Sequence, residues 1–370
     1  MGDVLGFRWT GQKLDRSASG VVEAARIGLQ DTPPGNAAVA AHVRAAGVSS
    51  GQVTEALEGK DVVLVWSLRG SPHLVPTSDL GVFTAGLRPA TDEGWLVSLA
   101  GFGTVLGPTG LTATEAVQAT VAALPEALDG RELTKRELGA ALQPLMPASL
   151  RDWFDPQRFT EVTAMLTRAA SLTGELCLTP RAGRREATFA LTSQWLGRPL
   201  PPVDPAAARA ELLRRYLRCY GPSTLADFAA WCGSAPAEAA RAWDDADLVP
   251  VDRRWVHAAD EDAFTAAAPP PEETALVAAY DPWLALRDRS TILPDRERQR
   301  QVWRSTGNPG VVLRAGRVVA TWRPAKKGPT LTITVTPFGA LSDRDRTRIE
   351  EHAQTLAPLR AASHTTIAYD

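Results

Sequence analysis

Three adjacent polar residues, Gln30, Asp31 and Thr32, follow the apolar residues Ile27 and Leu29 and precede two prolines. An amide can donate to and accept from a water molecule, a hydroxyl can orient the same water, and a carboxylate can act as its general base. The Pro-Pro pair imposes extended or turn geometry, in which side chains at positions i and i+2 converge. The triplet therefore predicts a site that holds a water molecule between Gln30 and Thr32. Asp31 would be the base only if its carboxylate points inward, whereas strand-like alternation points it away.

The same residues also fit an ordinary helix boundary. Thr32 is a favourable N-cap and Pro33 a favourable first residue for a helix over 33–46. Both interpretations remain open at this stage, because Thr32 could cap the helix and still orient a water.

Length and composition indicate a multidomain globular protein. The chain has 370 residues, 44% hydrophobic and 22% charged, which favours two to four domains. We find no apolar run long enough for a membrane span and no secretory signal, and we expect a cytoplasmic protein. The three cysteines are widely spaced without a CxxC, and the five histidines are scattered, so we expect neither a disulfide framework nor a metal site.

The order of predicted elements repeats along the chain. Two helices precede a hairpin over 61–76, the pattern of a winged helix. The pattern recurs with helices over 112–128, 132–142 (which opens with a Thr-x-x-Glu capping box) and 151–171 before a second hairpin, and once more over 206–257. The last hundred residues alternate as strands. We therefore predict an α+β fold of three tandem winged-helix units plus a C-terminal small β-barrel-like domain, with boundaries at 1–108, 109–198, 199–268 and 269–370.

Positive charge is concentrated in two places, although the formal net charge is −2. Residues 311–339 contain no acidic residue, and the turn over 181–185 is also basic. These side chains are candidate phosphate contacts that position DNA without reading its sequence; the alternative is a solvated face. The candidates are Arg314, Arg317 and Arg323, with Lys326 and Lys327, and Arg181, Arg184 and Arg185.

The last helix of the third unit has the opposite charge. Glu238, Asp244, Asp245 and Asp247 face a single arginine, Arg241. Phosphates would repel such a helix, so we interpret this unit as scaffold and disfavour a repressor that reads sequence through it.

Five blocks together resemble a known family, the winged-helix DNA glycosylases of the AlkZ-like type, and they occur in that family's order. These bacterial proteins remove alkylated nucleobases and unhook interstrand crosslinks. The resemblance implies a concave DNA-binding face, double-stranded DNA carrying alkylated purines as partner, no cofactor and a monomer. The blocks are "LQDTPPGNA" (29–37), "VVLVWSLRGSPHLVP" (62–76), "RYLRCYGPSTLADFAAWCG" (215–233), "YDPWLALRDRSTILP" (280–294) and "GVVLRAGRVVATWR" (310–323).

The resemblance also implies which residues form the catalytic site. The family's catalytic signature is Gln-x-Gln followed by a proline; Gln30 matches the first Gln and Pro34 the proline, but Thr32 replaces the second Gln. Asp31 lies where the family usually has an apolar or small residue. The resemblance thus implies that Gln30 positions the water, with Thr32 and Asp31 completing the site.

A second family pattern, Arg-Gly-x-x-His, matches Arg69 and His73 at the expected tip of the first wing. It implies that Arg69 contacts a phosphate and that His73 donates to DNA or to the catalytic region. The alternative is a polar hairpin turn whose histidine bonds to the backbone.

The implied activity is that of a monofunctional glycosylase for bulky or crosslinking N7- or N3-alkylated purines. Self-resistance to a DNA-alkylating natural product is one setting for it. Two other classes stay open. The missing second Gln favours a non-catalytic winged-helix DNA-binding protein or transcriptional regulator, and the near-neutral charge favours a protein-interaction scaffold.

Overall fold

The structure, a computed structural model, describes residues 2–99, 106–152, 156–179 and 187–370. Contacts divide the chain into two compact units. The first comprises Met1–Asp61, Arg214–Thr224 and Asp247–Asp370, and the second comprises Val62–Leu213 and Leu225–Ala246. Helices and strands occur in both, so the fold is mixed α/β; the four predicted domain boundaries stay predictions.

The helices and strands are numbered in chain order. The α-helices are α1 Val4–Gly11, α2 Val21–Ala25, α3 Asn36–His42, α4 Ser50–Glu58, α5 Leu80–Phe83, α6 Asp92–Ser98, α7 Ala113–Leu128, α8 Lys135–Leu142, α9 Ala148–Arg151, α10 Pro156–Ala170, α11 Thr192–Leu196, α12 Pro205–Tyr220, α13 Leu225–Cys232, α14 Pro236–Trp243, α15 Glu261–Thr265, α16 Arg296–Val302 and α17 Asp343–Leu359. The strands are β1 Leu29–Gln30, β2 Val62–Trp66, β3 Pro72–Pro76, β4 Leu176–Thr179, β5 Thr188–Leu191, β6 Leu248–Val251, β7 Arg254–His257, β8 Thr274–Val277, β9 Gly310–Arg314, β10 Arg317–Lys327, β11 Thr330–Pro337 and β12 His364–Tyr369.

A five-stranded sheet in the first unit has the order β12-β11-β10-β9-β8. Strand β10 shows why it forms: Val318, Ala320 and Trp322 are buried, while Arg317 and Arg323 on the alternate face are exposed. Helix α17 packs on this sheet and is the crossover that parallel strands β11 and β12 require.

This sheet corrects the prediction of a β-barrel-like domain. Strands β8 and β12 lie at its two ends, so in the described residues the sheet is open rather than closed. Alternation in the sequence identified the strands, but it does not determine whether the first and last strands pair.

The second unit contains strands in the order β3-β2-β4-β5, so both predicted hairpins join one sheet through the pair Leu64 and Leu178. Helices α7, α8 and α10 pack on one another beside it. The predicted capping box is confirmed: Thr134 accepts from the backbone N–H of Glu137, whose carboxylate accepts from Thr134.

The helices and strands predicted for the third repeat are also present. Helices α13 and α14 flank Gly233, which has a left-handed φ of 76°. Strands β6 and β7 pair as the predicted hairpin. Among the described residues, no helix is both long enough and apolar enough to cross a membrane.

An ion pair between Arg44 and Asp281 lies in the interior of the first unit, and both side chains have 0% exposure. Two guanidinium nitrogens of Arg44 each donate to one carboxylate oxygen, at 2.8 Å. Arg44 also donates to the carbonyl of Ala40, and Asp281 accepts from the backbone N–H of Trp283. Burial by itself lowers the pKa of Arg44, but the carboxylate of Asp281 outweighs it and keeps that pKa above its usual value.

Removing either partner of this pair should strongly destabilise the protein. Arg44→Met and Asp281→Asn each leave a buried charge without its partner, and each should lower the free energy of unfolding by about 3–5 kcal/mol. The double variant Arg44→Met/Asp281→Leu should lose less free energy of unfolding than the two single variants together, because it leaves no buried charge without a partner. Urea denaturation provides the measurement. Arg348→Met, which breaks the exposed pair with Glu351, is the control and should have little effect; single variants at position 44 or 281 that match it would contradict the expectation.

Candidate active site

The predicted catalytic triplet lies between β1 and α3 in the first unit. Gln30 ends β1 and is 8% exposed, while Asp31 and Thr32 are half-buried. The helix predicted over 33–46 is shorter, Asn36–His42, and the residue before it is Gly35 at φ 91°. Thr32 is therefore not its N-cap, and that prediction is wrong, because the chain turns through 33–35 before the helix begins.

Asp31 provides the capping instead. One oxygen of its carboxylate, Oδ1, accepts from the backbone N–H of Gly35 at 2.7 Å and of Ala37 at 3.0 Å. A carboxylate at this position satisfies N–H groups that the first turn of a helix leaves unpaired and complements the helix dipole. The side chain of Asp31 is thus directed at α3.

The environment of Asp31 has two opposing effects on its acidity. Burial raises its pKa, whereas the hydrogen bonds from Ala37 and Gly35 and the charge of Arg360 lower it, and burial dominates. A raised pKa would suit a general base. However, one carboxylate oxygen is already committed to two N–H groups, so the contacts of Asp31 favour anchoring the loop.

Two residues that contact this loop were not identified from the sequence. They are Asn36, the first residue of α3, and Arg360. The amide nitrogen of the buried Asn36 donates to the carbonyls of Thr32 at 2.9 Å and Ala279 at 2.8 Å. Its oxygen accepts from the guanidinium of Arg360, which follows α17. Asn36 was contained in the block "LQDTPPGNA", but nothing local indicates a partner 324 residues away.

Arg69 and His73 lie in the second unit. His73 is not at the tip of the wing; it pairs with Val65 inside β3 and is 1% exposed. Its Nδ1 lies 2.9 Å from the carbonyl of Ser71 and must carry the hydrogen, since a carbonyl only accepts. Burial, with a further contribution from Arg69, lowers the pKa of His73 to about 3. This burial disfavours contact between the ring and DNA, and donation to DNA or to the catalytic region stays a prediction.

The basic hairpin, residues 311–327 of strands β9 and β10, is less uniformly charged than its sequence suggests. Arg314 forms an ion pair with Asp345 at 3.0 Å. Arg317 and Arg323 instead donate to backbone carbonyls, of Thr291 and Gly307 respectively, which leaves their charge intact. Arg181, Arg184 and Arg185 lie outside the described residues.

Helix α14 is also less acidic at its surface than predicted. The carboxylate of Glu238 is buried and accepts from the hydroxyl of Thr91 and the backbone N–H groups of Ala90 and Thr91. Only Asp244 and Asp245, at the end of the helix, and Asp247 beyond it are exposed acids. Glu238 therefore belongs to the packing of the second unit rather than to a repulsive surface.

The described ranges hold no cluster of three or more histidine, cysteine, aspartate or glutamate side chains that could bind a metal ion. Cys177, Cys219 and Cys232 are buried free thiols.

Comparisons with known proteins identify relatives over most of the chain. The family model described as "DNA glycosylase AlkZ-like" matches residues 24–359. The "Interstrand DNA cross-link repair glycosylase" of Streptomyces sahachiroi is 28% identical over 291 residues, which cover 74% of this chain and 72% of that protein. Among solved structures, "Streptomyces sahachiroi DNA glycosylase AlkZ" has a similar fold. Its TM-score is 0.80 at 22% identity, over 99% of this chain and 98% of that one.

Replacing Asp31 should separate its capping role from its charge. Asp31→Ala removes the acceptor for two helix N–H groups and should lower the free energy of unfolding by about 1–2 kcal/mol, whereas Asp31→Asn keeps an oxygen acceptor and should lose only a few tenths. Urea denaturation at neutral pH measures both. Equal losses in the two variants would mean that the acceptor oxygen is not what stabilises this turn.

The pH dependence of stability should also differ at this position. Because the pKa of Asp31 is raised in the folded state, its contribution is present below the unfolded pKa of about 3.9 and is lost as pH rises through the folded value. Relative to Asp31→Asn, the wild type should therefore lose stability as pH rises above about 4. Asp295, the exposed N-cap of α16 whose pKa is lowered by N–H donors, is the matched control, and its contribution should change in the opposite direction. Parallel curves for wild type and Asp31→Asn would contradict the expectation.

Proposed function

Because the chain belongs to the AlkZ-like DNA glycosylase family, we propose that it hydrolyses the N-glycosidic bond of bulky or crosslinking N7- or N3-alkylated purines in duplex DNA. The name of the Streptomyces sahachiroi relative, an interstrand cross-link repair glycosylase, supports crosslinks as substrates. The observation that carries the proposal is the placement of Gln30 and Thr32 in a loop whose conformation other residues, Asp31 and Asn36, hold by hydrogen bonds.

This hydrolysis does not require an acid to protonate the leaving base. An N7- or N3-alkylated purine is cationic, so it leaves as a neutral base when it takes the electron pair of the C1′–N bond. The enzyme must place a water at C1′ and favour the oxocarbenium-like transition state. We assign that placement to the amide of Gln30 and the hydroxyl of Thr32. Asp31 positions both residues through its bonds to α3, and its charge adds to stabilisation of the developing cation.

The finer architecture is part of the same proposal. We infer that the three repeats act as winged-helix units around duplex DNA, with the C-terminal sheet beside them, in a monomer that works on the bacterial chromosome in the cytoplasm. Self-resistance to an alkylating natural product would fit this activity. The alternative function is a non-catalytic DNA-binding protein, and the observation that favours it is Thr32 in place of the second Gln.

Base excision should depend on Gln30. Gln30→Ala should lower the single-turnover excision rate by about 100-fold or more while lesion binding remains, because the amide acts mainly in the transition state. The assay incubates the protein with duplexes containing N7-methylguanine or a crosslink and reveals abasic sites by heating in alkali. Gln52→Ala, at a surface capping box of α4 in the same unit, is the matched control and should excise at the wild-type rate.

Variants at positions 31 and 32 complete the test. Thr32→Ser keeps the hydroxyl and should retain activity, Thr32→Ala should lose part of it, and Thr32→Gln restores the family's usual pair and should preserve or broaden excision. Asp31→Asn should retain most activity if Asp31 anchors the loop; a loss of about 100-fold would instead make it the general base. If the wild type excises nothing from any alkylated duplex, the non-catalytic alternative replaces this proposal.

Non-specific DNA affinity should depend on Arg317 and Arg323. Replacing both with Ala should weaken binding to all sequences and reduce the slope of log Kobs against log salt concentration by up to about 1.8, the value for two phosphates. Arg314→Ala should have a smaller effect, because Asp345 already balances that charge. Arg298→Ala, outside the hairpin and paired with Asp295, is the control. An unchanged salt slope in the double variant would exclude the hairpin as a DNA contact.

A further inference from the structure

Among the described residues, a small cavity in the second unit is lined by two arginines and by no acidic side chain. Its volume is about 240 Å³, and Arg69 and Arg168 both contribute to its wall. It borders residues that reach the surface, since Val97 is 44% exposed and Gly233 is also exposed. Both side chains carry a positive charge, and an anion bound in this cavity would be attracted to both.

Arg69 is fixed at one side of this cavity by its backbone and its neighbours. Its φ of 55° is left-handed, and its guanidinium donates to the carbonyl of Trp231. Gly233 packs directly against it: a Cβ at Gly233 would lie 2.9 Å from the Cα of Arg69. Arg69 is thus presented in one defined position.

Arg168, on α10, is held through its carbon chain and its ring contact rather than by hydrogen bonds. Its guanidinium carbon lies 4.4 Å from the centroid of the Trp66 ring, a cation–π contact. A Cβ at Gly70 would lie 3.2 Å from its Cδ, so the glycine leaves room for the side chain. In the described part of the chain Arg168 has no ion pair and no hydrogen bond, and its Nε is a buried donor without a partner. The side chain is therefore half-buried and oriented, yet none of the described residues accepts a hydrogen bond from it.

The chemistry that fits this cavity is that of a phosphate group. A phosphate oxygen only accepts hydrogen bonds, and the planar fork of an arginine matches two such oxygens. We propose that Arg69 and Arg168 together bind one phosphate of the DNA backbone. This inference rests on the proposed function, since it names the contact by which the second unit holds the duplex. Arg168 was not identified from sequence, because it is a single basic residue in the last turn of the helix predicted over 151–171.

The principal test replaces Arg168 with Met, which keeps the chain that packs on Gly70 and Trp66 but removes the charge. The variant should bind undamaged and alkylated duplexes more weakly by the same factor, about tenfold, and the salt slope should fall by about 0.9, the value for one phosphate. Arg168→Lys should recover part of the affinity, and Arg198→Met, an exposed arginine elsewhere in the unit, should change nothing.

Several outcomes would overturn the proposal, and they differ from failure of the proposed function. An unchanged salt slope in a folded Arg168→Met variant, with wild-type excision intact, excludes this phosphate contact but leaves the glycosylase activity standing. Wild-type protein that binds no duplex removes both.

A second measurement uses the wild type alone and remains informative if the variant does not fold. Titration with a short undamaged duplex should shift the guanidinium NMR signal of Arg168, and inorganic phosphate should shift the same signal only at much higher concentration. A shift with inorganic phosphate but none with duplex would assign the cavity to a free phosphate and overturn the DNA contact. No shift with either probe would exclude a phosphate site.

Discussion

The candidate active site depends on the buried ion pair between Arg44 and Asp281. Two charges with no exposure are costly to bury, and they are tolerated here because each is hydrogen-bonded by its partner and by backbone groups. Arg44 lies just beyond the end of α3, and Asp281 lies just beyond β8. Asn36, at the start of the same helix, donates to the carbonyl of Ala279. Both ends of α3 are therefore tied to one short segment, which fixes the position of the helix within its unit.

A fixed helix gives the loop before it a fixed set of N–H donors, and Asp31 uses them. Because the carboxylate of Asp31 caps α3, Thr32 is relieved of the capping role that its residue type suggested. The middle residue of the Gln-Asp-Thr triplet thus holds the backbone of the loop, and the water placement that we propose is assigned to Gln30 and Thr32.

Features set by short-range rules were predictable from sequence, and features set by long-range contacts were not. The capping box at Thr134 and the turn at Gly233 follow from local signals, and both are present. The contact of Arg360 with Asn36 depends on residues far apart in sequence, and so does the open edge of the C-terminal sheet. The prediction of the α3 cap was wrong for a different reason. Asp31 and Thr32 are neighbours that could both cap a helix, and only the path of the chain decides between them.

Charge counted along a sequence also differs from charge presented at a surface. A hydrogen bond to a carbonyl leaves the charge of Arg317 in place, whereas the carboxylate of Asp345, outside the basic segment, balances that of Arg314. Glu238 likewise contributes little negative charge to the surface, because its buried carboxylate accepts from the hydroxyl of Thr91. For a protein of net charge −2, binding to a polyanion must depend on such local differences. What matters for DNA is therefore which side chains lack an internal counter-charge, and Arg168, half-buried with no ion pair among the described residues, meets that condition although nothing in its sequence neighbourhood is basic enough to suggest it.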